Sequence, residues 1–510
     1  MKSGQGEIIA FLEQPAAYGP AVDRVERIDT HGAVVFLAGE RAYKLKRAVR
    51  YSYLDYSTLE ARRRHCEAEL ALNRRTAPEL YLAVEPVVRT GRGFRIGGAG
   101  EIADWLVVMR RFDQETLFDR LADRGALGRR MVLSLADRVV AFHSTAEPAP
   151  GFGGRAAVAE VLHGDVDNLL RGVPDAFGRA DVDAFAAESE AALRRIGELL
   201  DRRRDAGQVR RCHGDLHLRN ICLVDGVPTL FDCIEFSDRI ACIDVLYDLA
   251  FLLMDLDRRA LRAEANAVLN RYFDLSGEDG SALALLPQFL SQRAAIRAHV
   301  GVAAAAAQTE EKAARRQIEA AREYLEAALG YLRPARPRLV AVGGFSGTGK
   351  STLAYGLAPG MEAPVGARVL RSDVIRKRLA GVGPEERLPT DAYTQAAAAQ
   401  VYAELGRQAA AALAAGHAVV ADAVFAKPEE RQAITAVARA AGVPFAGIWL
   451  EAPAAVLEAR VAARRGDASD ATVEVLRRQL GFALGDLDWR RVDVRGDPES
   501  CLAAVRAALG

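Results

Sequence analysis

With 510 residues, the chain is long enough for about three domains of ~150 residues each. Its 68 lysines and arginines balance 68 aspartates and glutamates, which argues against a nucleic-acid coat or a polybasic membrane binder, since both need surplus cation. Half of the residues are hydrophobic and 27% are charged, so a large core can be buried and wholesale disorder is excluded. No run of ~18 apolar residues predicts a spanning helix. The opening segment MKSGQGEIIAFLEQP lacks a secretory apolar run, and the six cysteines lack paired zinc-site spacing. These features predict a cytoplasmic protein without nucleic-acid or membrane partners. In chain order, residues 33–47 read as two strands around a turn at Gly39-Glu40, 57–75 as a charged amphipathic helix, and 105–109 as an apolar strand. Helices dominate from about 128 to 335, interrupted by a polar-apolar block at 211–236. An Ala-, Glu- and Arg-rich helix at 309–331 is stopped by Pro334 and Pro337, which puts a boundary near 335. Beyond it, apolar runs at 339–343, 368–371, 418–421 and 445–450 alternate with Ala-rich helices, the pattern of a parallel sheet covered by helices.

The sharpest motif is Gly344-Phe-Ser-Gly-Thr-Gly-Lys-Ser351, a G-x4-G-K-S match between an apolar strand and a helix-like segment. Its glycines let the backbone curl so that N–H groups point at phosphate oxygens, and the following helix adds its positive end. Gly344, Ser346, Gly347, Thr348, Gly349, Lys350, Ser351 and Thr352 are therefore expected to bind nucleotide. Lys350 would reach the β- and γ-phosphates, and Ser351 would join a Mg²⁺ shell. Asp422 ends the run AVVAD, the place for a metal-side carboxylate. Asp373 follows the second strand in RVLRSDVIRKRL, where an acceptor hydroxyl is expected. Arg460 and Arg464, four apart on one helix face, are expected to act as a lid stabilising the transferring group. No N-K-x-D motif is present, which favours ATP over GTP.

These stretches resemble the P-loop kinases that include gluconate kinase, chloramphenicol phosphotransferase and zeta-toxin-like proteins. The resemblance covers about 340–490 and rests on GFSGTGKS, RSDVIRK, VVADAVF and RVAARRGDASDA. It implies phosphoryl transfer to a small acceptor, with Asp373 as acceptor-side base and Asp422 on the metal side.

Upstream, His213-Gly-Asp215-Leu-His-Leu-Arg-Asn220 matches H-x-D-x4-N, and Leu230-Phe-Asp232 follows twelve residues later. Kinase-type transfer needs such a set: Asp215 to accept the hydroxyl proton, then Asn220 and Asp232 to hold metal. This stretch resembles the aminoglycoside phosphotransferase family, whose signature reads HGDLHxxN, and Asp248 in DVLYDLAFL resembles that family's following helix. The order of the two halves resembles a group of bacterial proteins that fuse such a domain to a P-loop kinase. By analogy, Lys44 would hold the α- and β-phosphates, with Lys46 as the alternative on the same strand face. Glu69 would hold that lysine, with Glu67 as the alternative, and Met109 in the 108–110 hinge would lie beside adenine. Arg293 and Arg297 would favour an anionic acceptor if they faced a cleft, or else pair with the helix at 309–331.

The combined expectation is an α+β protein-kinase-like N-terminal domain followed by an α/β P-loop domain with a parallel sheet. The first spans 1–335, with a small β lobe at about 25–110 and a helical lobe at about 111–335; the second spans 336–510. The expected function is a bifunctional ATP- and Mg²⁺-dependent phosphotransferase acting on hydroxyls of small molecules at two independent sites. The alternatives are a regulatory ATP-binding or ATPase protein in which one site is a nucleotide switch, and a toxin- or stress-type kinase.

Overall fold

The computed structural model describes residues 5–51, 54–91, 93–306, 308–463 and 468–509; the lid residue Arg464 lies outside the described residues. The chain forms two compact units, each discontinuous in sequence: Met1–Gly154 with Asp201–Leu252, and Arg155–Leu200 with Leu253–Gly510.

The first unit opens with helix α1 (Gln5–Leu12) and is built on an antiparallel sheet. Its strands are β1 (Val25–Asp29), β2 (Ala33–Ala38), β3 (Arg41–Lys46), β4 (Tyr81–Thr90), β5 (Gly93–Ile96) and β6 (Ile102–Arg110), ordered β1-β2-β3-β6-β4-β5. Side chains alternate across β3. Tyr43 and Leu45 pack with Phe36, Leu106, Val108 and the α1 residues Ile8 and Leu12. Ala42 faces the other way, among Val107, Met109, Cys66 and Tyr81, and the alternation puts Lys44 and Lys46 on that same face. Helix α2 (Leu59–Asn73) covers it. The Thr58 side chain caps its start by accepting from the Ala61 N–H at 3.1 Å. The buried stripe of α2 is Arg62, Cys66, Glu69 and Asn73, spaced by three or four residues as one helix face requires. Strand β7 (Ile221–Val224) and strand β8 (Val227–Leu230) form a hairpin whose turn, Asp225-Gly226, holds both residues at positive φ. An Asp-Gly pair favours such a turn because its twist matches the flanking strands. Helix α3 (Val245–Arg258) follows and carries the buried Asp248.

In the second unit a five-stranded parallel sheet has the order β10-β11-β9-β12-β13. The strands are β9 (Leu339–Gly344), β10 (Arg368–Arg371), β11 (Val419–Asp422), β12 (Phe445–Glu451) and β13 (Arg490–Asp493). Central β9 is buried on both faces, which is why it reads as an unbroken apolar run rather than an alternating one. Because β11 and β12 flank β9 on opposite sides, the crevice at its carboxyl end is a topological switch point, where open α/β sheets bind ligands.

One edge strand of this sheet, β10, is covered by helix α4 (Arg262–Ser276). Asn266, Asn270 and Asp274 lie four apart on one face of α4. Asn266 Nδ2 donates to the carbonyls of Val365 and Ala367, each at 2.9 Å. Asn270 Nδ2 donates to the Ala367 carbonyl at 3.1 Å, and its Oδ1 accepts from the Val369 N–H at 2.7 Å and from Arg368 at 2.9 Å. Asp274 pairs with Arg368 at 2.6 Å. Side-chain amides thus take the place of a neighbouring strand along β10, so that this edge is not left bare for another chain to pair with. Elsewhere in this unit, helices Leu286–Ala306 and Glu311–Leu332 pack along one another. Arg297 lies over the Tyr324 ring at 5.9 Å, as expected of pairing with the 309–331 helix, and Arg293 is buried near Asp165.

Candidate active sites

In the first unit, strand register and helix phase converge on one charge network. Lys44 Nζ lies 2.8 Å from Glu69 Oε1 and 2.6 Å from Asp232 Oδ1. Lys46 Nζ lies 2.5 Å from Glu69 Oε2 and 2.5 Å from Glu235 Oε1. Both lysines therefore grip Glu69. Glu67 is exposed and pairs with Arg63 at 2.9 Å. Burial by itself would push the Glu69 carboxyl up, but the two ammonium groups outweigh it and hold the pKa well below the usual range. Burial likewise opposes charge on Lys44, yet Asp232 and Glu69 keep it firmly protonated. The lysines differ in access: the Lys44 side chain is 16% exposed and that of Lys46 only 1%, so Lys44 is the one open to a ligand.

The acidic end of the site is assembled by the β7–β8 hairpin. The Phe231 N–H donates to the Asn220 carbonyl at 3.0 Å, continuing the Ile221–Leu230 pairing, so Asn220 and Asp232 sit at the same end of the ladder. Asn220 Nδ2 donates to Asp215 Oδ2 at 3.0 Å, which fixes the orientation of that carboxylate. Asp215 is in turn held from below. The backbone N–H groups of His213 and Gly214 donate to Asp248 at 3.0 and 2.9 Å, and His143 Nε2 lies 3.1 Å from the same carboxylate. Asp232 adopts φ of +64°, unusual for a residue with a Cβ and of a kind that concentrates at functional sites. Its N–H donates to Tyr81 Oη at 3.1 Å, and the next N–H, of Cys233, donates to Asn73 Oδ1 at 2.8 Å. Met109 is buried opposite Ala42 in the β3–β6 pair. Asn220 keeps its amide oxygen and Asp232 its second oxygen as hard donors, a set that suits Mg²⁺. Tyr81, Asn73 and Glu235 escaped the sequence reading; the one available signal was Asn73 at four residues from Glu69.

In the second unit, Gly344, Gly347 and Gly349 all have positive φ (142°, 86° and 82°), and helix α5 (Lys350–Leu357) begins directly after them. A Cβ on Gly347 would lie 2.7 Å from the Leu457 carbonyl oxygen of helix α7 (Ala454–Ala463), so bulk as well as dihedral forbids a side chain there. Ser351 Oγ donates to Asp422 Oδ2 at 2.6 Å, which unites the two expected metal-side oxygens. Lys350 Nζ reaches the Phe345 carbonyl at 3.1 Å, and Thr348 Oγ1 donates to the same oxygen at 2.8 Å. Asp373 stands in the first turn of helix α6 (Ser372–Leu379). Burial raises its carboxyl pKa; Arg371 opposes that rise, and Asp422 adds to it.

A cavity of about 470 Å³ beside the glycine loop is lined by Gly347, Gly349, Thr352, Arg460, Asp497 and Cys501. Arg460 donates to the carbonyls of Val494 and Gly496 at 2.9 and 3.3 Å, so it braces the wall of this cavity beside helix α9 (Pro498–Leu509). Gln479, on helix α8 (Val473–Leu480), accepts the Ser346 N–H at 2.8 Å, a contact no sequence motif signalled.

Residues 55–286 match the phosphotransferase enzyme family, and residues 339–483 match an AAA domain family. Uncharacterized proteins of Mycobacterium tuberculosis and Mycobacterium bovis are 32% identical to this chain over 491 residues, which is 92% of this chain and 92% of each relative. Among solved structures, the chain is similar to a gluconokinase from Sinorhizobium meliloti 1021, at 22% identity over 34% of this chain and 93% of that one, with a TM-score of 0.25. It is also similar to a choline/ethanolamine kinase family protein from Mesorhizobium loti, at 13% identity over 64% of this chain and 99% of that one, with a TM-score of 0.37.

Proposed function

The chain, a fusion of a phosphotransferase-family domain with a P-loop kinase-like domain, belongs to the same family as its mycobacterial relatives, and on that premise we propose that it is a two-site kinase for small-molecule hydroxyl acceptors. The observation that carries the reading is Lys44 bridging Glu69 and Asp232 while Asn220 orients Asp215. Magnesium-bound ATP, once bound, supplies the phosphoryl group and neutralises much of its charge. Asp215 takes the proton of the acceptor hydroxyl, and Asn220 and Asp232 would provide the metal's oxygen donors. Lys44 pairs with phosphate oxygens. In the P-loop half, Lys350 and the loop N–H groups bind phosphate, Ser351 and Asp422 would hold the metal, and Asp373 receives the acceptor proton. Arg460 holds the nucleotide cavity in shape. Both halves work mainly by alignment and charge neutralisation.

We place the functional division near residue 335. Six free, buried cysteines and the lack, among the described residues, of any helix able to cross a membrane support action in the cytoplasm. The test incubates wild type, Asp215→Ala and Lys350→Ala with γ-labelled ATP and a metabolite extract. Each substitution should abolish a different labelled product. Loss of the same product from both variants would refute independent sites.

A further inference from the structure

The amide of Gln479 is half committed and half unused. The Ser346 N–H, at the third position of the glycine loop, donates to Gln479 Oε1 at 2.8 Å. A backbone N–H can only donate, so the amide must present its oxygen there and turn its Nε2 away. That nitrogen carries two donors and meets no acceptor among the described residues. Helix α8 holds the amide firmly in place. Leu476, three residues before Gln479, is fully buried in a cluster with Leu457 and Val461 of α7 and with Phe345 of the glycine loop itself. Thr472 caps the helix by accepting the Val475 N–H at 3.3 Å, and Arg477 pairs with Glu458 of α7 at 2.8 Å. Residues three apart share a helix face, so the packing that docks Leu476 also delivers Gln479 to the loop.

Lys350 marks which phosphates lie near this amide. Its Nζ, the group that reaches the β- and γ-phosphates, lies 3.1 Å from the Phe345 carbonyl oxygen. That carbonyl and the Ser346 N–H belong to one planar peptide unit. The ammonium and the Gln479 amide oxygen are therefore within about 8.5 Å of each other, counting the C=O and C–N bonds between the two contacts. One phosphoryl group, with a hydrogen bond on either side, covers such a span. We propose that Gln479 is the residue through which the P-loop half tells ATP from ADP: Oε1 stays on the Ser346 N–H, and Nε2 donates to a γ-phosphate oxygen. ADP has no oxygen at that place. The Ser346 N–H then serves the site by orienting Gln479 rather than by bonding phosphate directly. The assignment rests on the nucleotide-binding reading of the loop and adds a contact that the G-x4-G-K-S motif does not itself supply.

The test is calorimetric titration of the full chain in saturating Mg²⁺ with ADP and with AMPPNP, a non-hydrolysable ATP analogue. The binding step that Lys350→Ala removes is the P-loop site. Gln479→Leu deletes both halves of the amide. Gln479→Glu keeps an acceptor for Ser346 but loses the donor and adds negative charge. In both variants the AMPPNP affinity of that site should fall about ten-fold or more, the worth of one hydrogen bond to a charged group, while ADP affinity stays within about three-fold. Gln479→Glu should bind AMPPNP more weakly than Gln479→Leu. A role confined to shaping the loop predicts otherwise: Gln479→Glu would bind like wild type, and Gln479→Leu would weaken both nucleotides alike. Either result would overturn the proposal, as would an unchanged preference between AMPPNP and ADP in both variants. Retained ADP binding, with thermal unfolding of each variant, checks that the loop is folded. Failure of the underlying reading registers separately, as the absence in wild type of any step that depends on Lys350, and it would take the Gln479 assignment with it.

Discussion

Lys44 and Lys46 grip the same carboxylate, yet replacing each by methionine should have opposite consequences. Lys46 is 1% exposed, and its partners Glu69 and Glu235 are 0% and 5% exposed. Lys46→Met therefore strands buried carboxylate charge. Among the described residues, Glu235 then keeps the Tyr56 hydroxyl and Glu69 keeps Lys44. Breaking a buried pair in this way costs about 3–5 kcal/mol. Lys44→Met removes an ammonium whose second partner, Asp232, is 41% exposed and can be rehydrated, while Glu69 retains Lys46. Its stability cost should be about 1 kcal/mol, in the range of surface pairs. The catalytic effect should invert, because Lys44 is the ligand-facing charge: loss of one such electrostatic contact costs about 10²–10³ in rate. Hydrogen–deuterium exchange over 41–46 and 59–73 reads the first effect, and the Asp215-dependent transfer rate reads the second. A Lys46→Met protein as protected as wild type, or a Lys44→Met protein with undiminished transfer, would refute the division of labour between the two lysines.

Three further outcomes follow from other parts of the molecule. Asn270→Ala should unpair the Val369 N–H at the β10 edge and remove one acceptor from Arg368, which keeps Asp274, costing about 1–3 kcal/mol and accelerating exchange of the Val369 amide; unchanged exchange would show that α4 does not hold the strand. A chain starting at residue 336 lacks α4, so it should aggregate more readily than the full chain, as light scattering would report. The third outcome concerns Asp165, a carboxyl that lies 3.2 Å from His299 Nε2 and is driven up to about 6 by burial, with His299 and Arg293 opposing. A carboxyl whose folded pKa exceeds its unfolded one destabilises the fold as pH rises through about 4 to 6, and the full cost persists above that window. Asp165→Asn should accordingly raise stability at pH 7.5 by up to about 3 kcal/mol and leave it unchanged near pH 4, as measured by unfolding midpoints. A gain that does not depend on pH would contradict the ionised state of Asp165.

The sequence carried what is written contiguously. The P-loop, the H-x-D-x4-N block and Asp232 are runs whose chemistry depends on spacing along one turn or one hairpin, and the apolar runs of β9, β10, β11 and β12 signalled the parallel sheet directly. The strands with short, polar or proline-bearing sequences, β1, β4, β5 and β13, went unread because their pattern is set by which face each neighbour covers. Tertiary structure decided the rest. Glu69 rather than Glu67 meets the lysines because α2 docks with its 62–66–69–73 stripe inward, a phase that depends on the sheet beneath it. Glu235 reaches Lys46 across 189 residues, and α4 reaches β10 across about 100, through contacts that no local periodicity encodes. Arg460, read as a lid from its spacing, donates to two backbone carbonyls of the cavity wall, contacts that its spacing on the helix does not encode. Local motifs supply the reacting groups; burial and register, which arise only when distant segments pack, determine which charges stay paired and which remain open to a ligand.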